Sequence, residues 1–330
     1  MVSLSRRAVM AGLAGAGAAV LAPTGGWAHE GERLRNLTLW GPPAGPSILL
    51  VQAIATGRLR AVADKVTFKA WRDPDELRAG LTSGSMQLFV LPTQAAANLF
   101  NRGMDVRLVN VMTNGLLYVA AADGTLTTLA ALRGRSVAVP FRNDTPDVIF
   151  RRLLRAEGVA EADLDLRFTG TPLEAAQLLA SGRIDAALLP EPAASAAILK
   201  ASLAGTTLSR VIDMQAAWAR VTGLPPALPQ AGLGVTGDFL TAHGAVVQAV
   251  HAALVETVAE VNAAPAEAAA GAASALGLPQ PVIAESIPYS NLVATPAREA
   301  RPVLEPMFAS LAEADPGIVG GGSPAAAFYL

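Results

Sequence analysis

Polar side chains recur at the junctions between predicted strands and predicted helices. Ser47, Thr93, Asn143 and Thr145 each precede a helical pattern, and Glu191 follows a short apolar run. At such a junction a hydroxyl or amide group caps the helix, or it shares the exposed backbone N–H groups with an anionic ligand. Capping is the ordinary role for any one such residue. Several junctions meeting at one cleft would bring some of these side chains onto a ligand.

Glu191 has two interpretations that the sequence leaves open. Pro190 and Pro192 flank it and fix the direction of the chain at the end of the apolar run. Its carboxylate either faces a cleft at the strand tip or stabilises the N-terminus of the next helix by its charge.

Other candidates lie in the segments that directly follow predicted strands, which we call tip segments, or are aromatic. Arg142 suits bidentate pairing with a carboxylate or sulfonate, or it is a solvated rim charge. Trp71 and Trp218 are candidates for ligand stacking, with core packing as their alternative role. The full set of predicted ligand-binding residues is Ser47, Trp71, Thr93, Gln94, Asn114, Arg142, Asn143, Thr145, Glu191 and Trp218.

These residues lie between short β-rich runs and longer helical patterns that alternate along the chain. The pattern runs from 34 to 112 and restarts at 136. Such a βαβα rhythm predicts parallel sheets covered by helices on both faces. A further strand is predicted at 232–236, with helices only from about Phe239 onward. A helical tail of this kind is expected to pack back on the first sheet.

The predicted fold is therefore α/β, with two doubly wound lobes joined by a hinge of two crossings. The crossings are expected near 115–122 and 228–236. Lobe 1 would comprise residues 29–117 and 233–330, and lobe 2 residues 118–232. A cleft between such lobes is where strand ends and helix N-termini converge on a ligand.

Composition narrows the class of protein. The 330 residues are 52% hydrophobic and 16% charged, which suits two ordered domains. The net charge is −2, and no basic stripe supports nucleic-acid binding. There is no cysteine, which excludes disulfides, thiolate metal sites and a lipid anchor on cysteine. No cofactor is expected.

Residues 1–28 are typical of a secretion signal. Arg6 and Arg7 precede the uncharged apolar stretch 8–21, and small residues end at Ala28. The arginine pair resembles the twin-arginine (Tat) export motif. The alternative is an uncleaved anchor, for which the apolar stretch is short. A soluble protein in the periplasm is expected.

Two segments in the second half of the chain's strand–helix pattern resemble a known protein family. They are 132–140 (LRGRSVAVP) and 179–192 (LASGRIDAALLPEP). Their order and spacing are similar to those of the periplasmic substrate-binding proteins of ABC importers for nitrate, sulfonates, taurine and thiamine-pyrimidine precursors. Gln87 stands where that family commonly has aspartate. The resemblance implies the type II periplasmic-binding-protein fold, transport of a small polar or anionic organic solute, and a monomer that docks on an ABC permease.

Three alternatives remain at this point. Catalytic relatives of the fold exist, so an exported enzyme acting on a small pyrimidine-like or anionic metabolite is one alternative. The histidines His29, His243 and His251 form no metal-binding pair by spacing. If cleavage follows Ala28, His29 would become an N-terminal residue that can bind copper. A sensor that uses the same cleft is the third alternative.

Overall fold

The computed structural model describes residues 33–313 and 315–330. The predicted secretion signal and His29 lie outside the described residues. The strands, in chain order, are β1 Leu34–Gly41, β2 Ala63–Ala70, β3 Leu88–Pro92, β4 Val106–Thr113, β5 Leu117–Ala121, β6 Ser136–Pro140, β7 Asp165–Thr169, β8 Ala186–Pro190, β9 Ser209–Asp213, β10 Ala231–Thr236 and β11 Leu292–Pro296. The helices are α1 Gly45–Ala55, α2 Pro74–Thr82, α3 Thr93–Asn101, α4 Thr145–Ala156, α5 Pro172–Ala180, α6 Ala193–Leu203, α7 Met214–Thr222, α8 Gly237–Ala263, α9 Pro265–Leu276, α10 Gln280–Ser286 and α11 Ala297–Ala312.

Two sheets form the scaffold. The first has six strands in the order β11-β4-β10-β3-β1-β2, and the second has five in the order β7-β6-β8-β5-β9. The α/β fold class with two helix-covered sheets is confirmed. The expectation of purely parallel sheets is wrong, because β5, β10 and β11 pair antiparallel with their neighbours.

The direction of β5 and β10 follows from where the chain crosses between the sheets. β4 ends at the carboxyl edge of the first sheet, and the chain enters the second sheet from the same side. β5 therefore starts at that edge and runs opposite to β8. β10 returns in the same way and runs opposite to β3 and β4.

The C-terminal part also differs from expectation. It contains β11, which pairs with β4 at the edge of the first sheet, whereas helices alone were predicted after Phe239. Five residues between two helical stretches are too few to reveal a strand period, although Val293 and Thr295 favour a strand. The prediction that this part packs on the first sheet agrees with the contacts of α8 and α11 with β4.

Apolar strands buried on both faces hold the scaffold together. In β8 the residues Ala186, Ala187, Leu188 and Leu189 are all fully buried, which explains a continuous apolar run in place of an alternating one. α1, α8 and α9 share one core cluster with the first sheet, while α3 and α11 pack in a second cluster.

Helix α8 is unusually long and apolar. Among the described residues, only α8 is long and apolar enough to cross a membrane by those criteria. It packs against β4, β10 and β11, and Val247, Val250 and Leu254 are fully buried there. A helix in the core of a folded protein meets the same criteria.

Candidate functional site

A cavity of about 360 Å³ lies where the carboxyl ends of strands from both sheets meet. The first sheet contributes the loops after β1 and β2 and the last two residues of β3, and the second sheet contributes the segments after β6, β7 and β8, while residues of both crossings also line the cavity. This is the edge at which open α/β sheets bind ligands. The lining residues are Pro42, Pro43, Ala44, Pro46, Trp71, Arg72, Pro74, Leu91, Pro92, Leu116, Leu117, Phe141, Asp144, Thr145, Pro146, Thr171, Pro172, Leu173, Pro190, Glu191, Pro192, Ala193, Gln230, Ala231 and Leu278.

Nine of the residues that line the cavity are prolines. Six of these prolines lie in the first turn of a helix that starts at the cavity, or directly before it: Pro46, Pro74, Pro92, Pro146, Pro172 and Pro192. The first turn tolerates proline because its N–H groups have no partner within the helix. Each of these prolines also removes one N–H donor from the helix end beside the cavity.

A second, smaller cavity of about 200 Å³ adjoins the first. The two share Trp71, Pro74, Pro92 and Asp144 in their linings. Trp71 is held in place because its indole N–H donates to the Val90 carbonyl at 3.0 Å. The smaller cavity is more polar, and its lining includes Arg78, Gln94, Asn98, Asn143 and Asp315.

Five of the predicted site residues line these cavities. Trp71, Thr145 and Glu191 line the larger one, and Trp71, Gln94 and Asn143 line the smaller one. Gln94 and Thr145 also meet directly, since the Gln94 amide donates to the Thr145 hydroxyl at 2.8 Å. This hydrogen bond connects α3, beside the first sheet, with α4, beside the second.

The other five predicted residues lie outside both linings. Ser47 is fully buried in α1, and its hydroxyl has no hydrogen-bond partner. Thr93 is buried at the start of α3, where its hydroxyl donates to the Pro229 carbonyl. Arg142 is exposed and stacks on Phe168, with its guanidinium carbon 4.8 Å from the ring centroid.

Asn114 and Trp218 complete this group. The Asn114 carbonyl accepts from the Leu228 N–H at 2.7 Å, which places Asn114 where the two crossings meet. Trp218 is 1% exposed and packs in the core as part of α7, in keeping with its alternative role.

Glu191 is occupied by partners within the chain. One carboxylate oxygen accepts from the backbone N–H of Ser195 at 3.2 Å and from its hydroxyl at 2.8 Å. The other accepts from the Arg210 guanidinium at 2.6 Å. Burial raises the pKa of Glu191, while Arg210 and Ser195 act in the opposite direction. These contacts match the helix-stabilising interpretation of Glu191.

Arg210 was not identified from the sequence. It lies in β9, and its side chain is 11% exposed. In addition to its contact with Glu191, Arg210 stacks on Tyr289, which follows α10 in the C-terminal part. The guanidinium carbon of Arg210 lies 3.5 Å from the ring centroid of Tyr289. A charged residue within a short strand was the available signal, but its partners are distant in sequence.

Asp144 was also missed, although it lies in a tip segment. Its carboxylate accepts from the Thr145 N–H at 2.8 Å and from the Gln94 amide at 3.4 Å, and Arg78 lies 3.5 Å away. Burial raises the pKa of Asp144, while the Thr145 N–H and Arg78 oppose that shift. Asn143 before it adopts φ 64°, a conformation that asparagine tolerates.

The two crossings are tied together by side-chain amides. Gln230 accepts from the Leu116 N–H and Gln215 from the Leu117 N–H, both at 3.2 Å. Between them and β4 lies Gly115 with φ 129°, and the Asn291 amide donates to its carbonyl at 2.7 Å. These side chains thus satisfy three backbone groups of the first crossing within the chain.

A sequence profile described as "ABC transporter, phosphonate, periplasmic substrate-binding protein" matches residues 59–261. No match to a curated protein sequence was found. Within the described residues, no group of three or more His, Cys, Asp or Glu side chains is placed to hold a metal ion.

Solved structures with the same fold cover most of the chain. An ABC transporter protein from Parabacteroides distasonis is 23% identical, with a TM-score of 0.72 over 90% of this chain and 98% of that one. The aliphatic sulphonate-binding protein SsuA from Escherichia coli is 20% identical, with a TM-score of 0.67 over 85% and 92%. The nitrate-binding protein NrtA from Synechocystis is 14% identical, with a TM-score of 0.59 over 77% and 70%. At these identities the likeness shows a shared fold.

Proposed function

The chain belongs to the phosphonate family of periplasmic substrate-binding proteins of ABC transporters, and from that premise we propose that it captures a small organic solute in the larger cavity for delivery to an ABC permease. The family membership confirms the predicted resemblance and the predicted role in ABC import. The observation that carries the proposal is the cavity itself, since its walls come from loops of both sheets at their carboxyl edges.

The proposed mechanism is closure of two lobes around the solute. Lobe 1 would comprise residues 29–117 and 233–330 and lobe 2 residues 118–232, linked by the two crossings. A ligand that contacts both walls binds the closed form better and so shifts the population toward it. Trp71, Gln94, Thr145 and Glu191 are the predicted site residues best placed to contact the ligand or to support its contacts.

The proposed location is the periplasm, reached with the signal at 1–28. The mature protein would be a soluble monomer without enzymatic activity that docks on its permease. If export uses the Tat route, replacing Arg6 and Arg7 by lysine should abolish it. Fractionation of cells that express both forms measures this, and equal export of both forms would contradict the Tat assignment.

Native mass spectrometry of the protein purified from a periplasmic extract tests capture directly. We expect one small molecule per chain, recovered chemically unchanged after denaturation, and a raised melting temperature when the stripped protein meets that extract. Binding to the native state alone stabilises it by mass action.

Two tryptophan substitutions provide the matched comparison. Pro43→Trp should fill part of the cavity and abolish both the bound mass and the melting shift. Ala204→Trp places the same side chain at an exposed position outside the cavity and should leave both intact. A stripped protein with no bound mass and no melting shift in any extract fraction would overturn the proposal.

A further inference from the structure

We propose that the larger cavity selects an uncharged ligand with a predominantly apolar body, and that it does not accommodate a phosphonate or another small oxyanion. This inference rests on the proposed function and names the ligand class for the same site. It departs from the polar or anionic solute expected from the family resemblance.

The lining of the cavity is apolar over most of its surface. Beside its nine prolines it includes Trp71, Leu91, Leu116, Phe141 and Leu173. Leu173 is 39% exposed, which is unusual for a leucine in this structure. Covering such surfaces with an apolar ligand is favourable because it removes apolar area from water.

The side-chain oxygens of three neutral polar residues in the lining already accept hydrogen bonds within the chain. The Thr145 hydroxyl accepts from Gln94, the Thr171 hydroxyl accepts from the Glu174 N–H, and the Gln230 carbonyl oxygen accepts from the Leu116 N–H. A ligand that donates to these oxygens would have to compete with each of these hydrogen bonds.

Carboxylates of the chain occupy three of the helix ends at the cavity where an oxyanion would otherwise bind. The first-turn N–H groups of α2, α4 and α6 donate to Asp73, Asp144 and Glu191, respectively. Each of these helices also has proline in or directly before its first turn. The positive end of each helix is thus already matched by a negative charge.

Cationic partners for an oxyanion are also scarce. Arg72 is the one cationic side chain among the described residues that line the cavity, and it is 83% exposed and 3.4 Å from Glu76. Arg210 already forms an ion pair with Glu191. An enclosed oxyanion would lose its hydration without gaining a buried cation, which disfavours its binding.

The volume is compatible with this ligand class. About 360 Å³ lies near the lower end of the range of roughly 300–1,000 Å³ for small-molecule pockets. A nitrate or methylphosphonate ion would leave most of such a space unfilled, whereas a ligand with several rings would occupy more of it.

The test uses the uncharged fluorescent probe N-phenyl-1-naphthylamine, with methylphosphonate and nitrate as competitors. We expect saturable binding of one probe per chain, no displacement by either anion at millimolar concentration, and no melting shift with either anion alone. Leu173→Asp should weaken probe binding at least about tenfold, because it introduces a charge into the apolar lining.

Leu203→Asp is the matched control, since Leu203 is 84% exposed and lies outside the cavity. It should bind the probe as the parent does. Thr171→Asp serves as a second cavity variant, since aspartate keeps the capping of α5 while adding a charge. Melting temperatures verify that each variant is folded.

Three results would overturn this inference. Methylphosphonate or nitrate that stabilises the protein and displaces the probe would reject the ligand class while leaving solute capture intact. Equal probe binding by all folded variants would place the apolar site elsewhere. Failure of the probe, of both anions and of every extract fraction to bind would reject the proposed function as well.

Discussion

Arg210 connects three groups that come from different parts of the chain. It pairs with the buried Glu191, donates to the Ser195 hydroxyl at 2.7 Å, and lies on the face of Tyr289. Tyr289 is 38% exposed, and a cation on such an aromatic face contributes about 0.5–1 kcal/mol. Arg210 therefore links β9 and the start of α6 to the C-terminal part of the chain.

Replacing Arg210 should show how much this link stabilises the protein. Arg210→Met leaves the Glu191 carboxylate buried without a cation, and we expect a loss of about 3–5 kcal/mol in the free energy of unfolding. Urea denaturation measures it. Arg167→Met is the control, because the Arg167–Asp165 pair is about half exposed and should contribute less than about 1 kcal/mol. Equal losses in both variants would refute the special role of Arg210.

Asp185 belongs to the segment that carries the family resemblance, yet its contacts are structural. Its carboxylate accepts from the N–H and the hydroxyl of Ser136, each at 2.7 Å, and the Ser136 hydroxyl accepts from the Asp185 N–H at 2.9 Å. These hydrogen bonds join the starts of β6 and β8, at the edge opposite the cavity. They lower the pKa of Asp185.

This contact predicts a pH-dependent stability. Because the pKa of Asp185 is lowered on folding, its stabilisation is present above the unfolded value of about 3.9 and is lost as the pH falls through the folded value. At pH 7, Asp185→Asn should cost about 1 kcal/mol, a value reduced by exposure to solvent. Urea titrations at pH 7 and pH 3 measure the difference, which should shrink at the lower pH. A difference independent of pH would contradict the assignment.

At the scale of elements, the crossing from β4 to β5 depends on Gly115. Its φ of 129° disfavours any side chain, and a Cβ there would overlap the Gln215 side chain, which holds the Leu117 N–H. Gly115→Ala should lower the free energy of unfolding by about 1–3 kcal/mol. Gly124→Ala, where a Cβ meets open space, is the control for chemical denaturation. No difference between the two variants would show that the crossing tolerates a side chain.

Strands and helices with strong local patterns were predictable from the sequence. Apolar runs such as 186–189 and the turn residues before them predict β8 and its neighbours, and so predict which residues stand at strand tips. β5 was assigned to a crossing, because Leu117–Ala121 is short and lies close to Gly115. Its place in the second sheet depends on pairing with β8 and β9, which no local pattern encodes.

Side-chain roles were less predictable than positions. The tip position of Glu191 follows from the run before it, but its engagement depends on Arg210, nineteen residues away along the chain and close only through the sheet. Likewise, Thr93 follows the end of a strand as expected, yet its hydroxyl donates to the Pro229 carbonyl in the second crossing. Tip residues identify the edge of the sheet, while tertiary neighbours decide which of them face the cavity.

At the scale of the whole molecule, Gln94 helps to hold the cleft in this arrangement. Its amide bridges to Thr145 at 2.8 Å across the cleft, and Arg78 bridges to Asp144 at 3.5 Å. A hydrogen bond of this kind is worth about 1 kcal/mol, or about fivefold in a population ratio. Gln94→Leu should therefore shift the ligand-free protein toward an open form with a larger radius of gyration in X-ray scattering.

Gln177→Leu is the matched control for that measurement. Gln177 lies exposed on α5 and forms no side-chain bridge across the cleft, so its replacement should leave the radius of gyration unchanged. An unchanged radius in Gln94→Leu would show that this bridge does not set the balance between open and closed forms.

The route of the chain through its two sheets also constrains its synthesis. All strands of the second sheet lie within residues 117–213, whereas the first sheet needs β10, β11 and the final residues, since the Leu330 N–H donates to the Leu108 carbonyl at 2.9 Å. Protein domains generally fold as units while the ribosome extends the chain. The second sheet can therefore be completed from residues 117–213 alone, whereas the first sheet stays incomplete until residues 231–296 have been added.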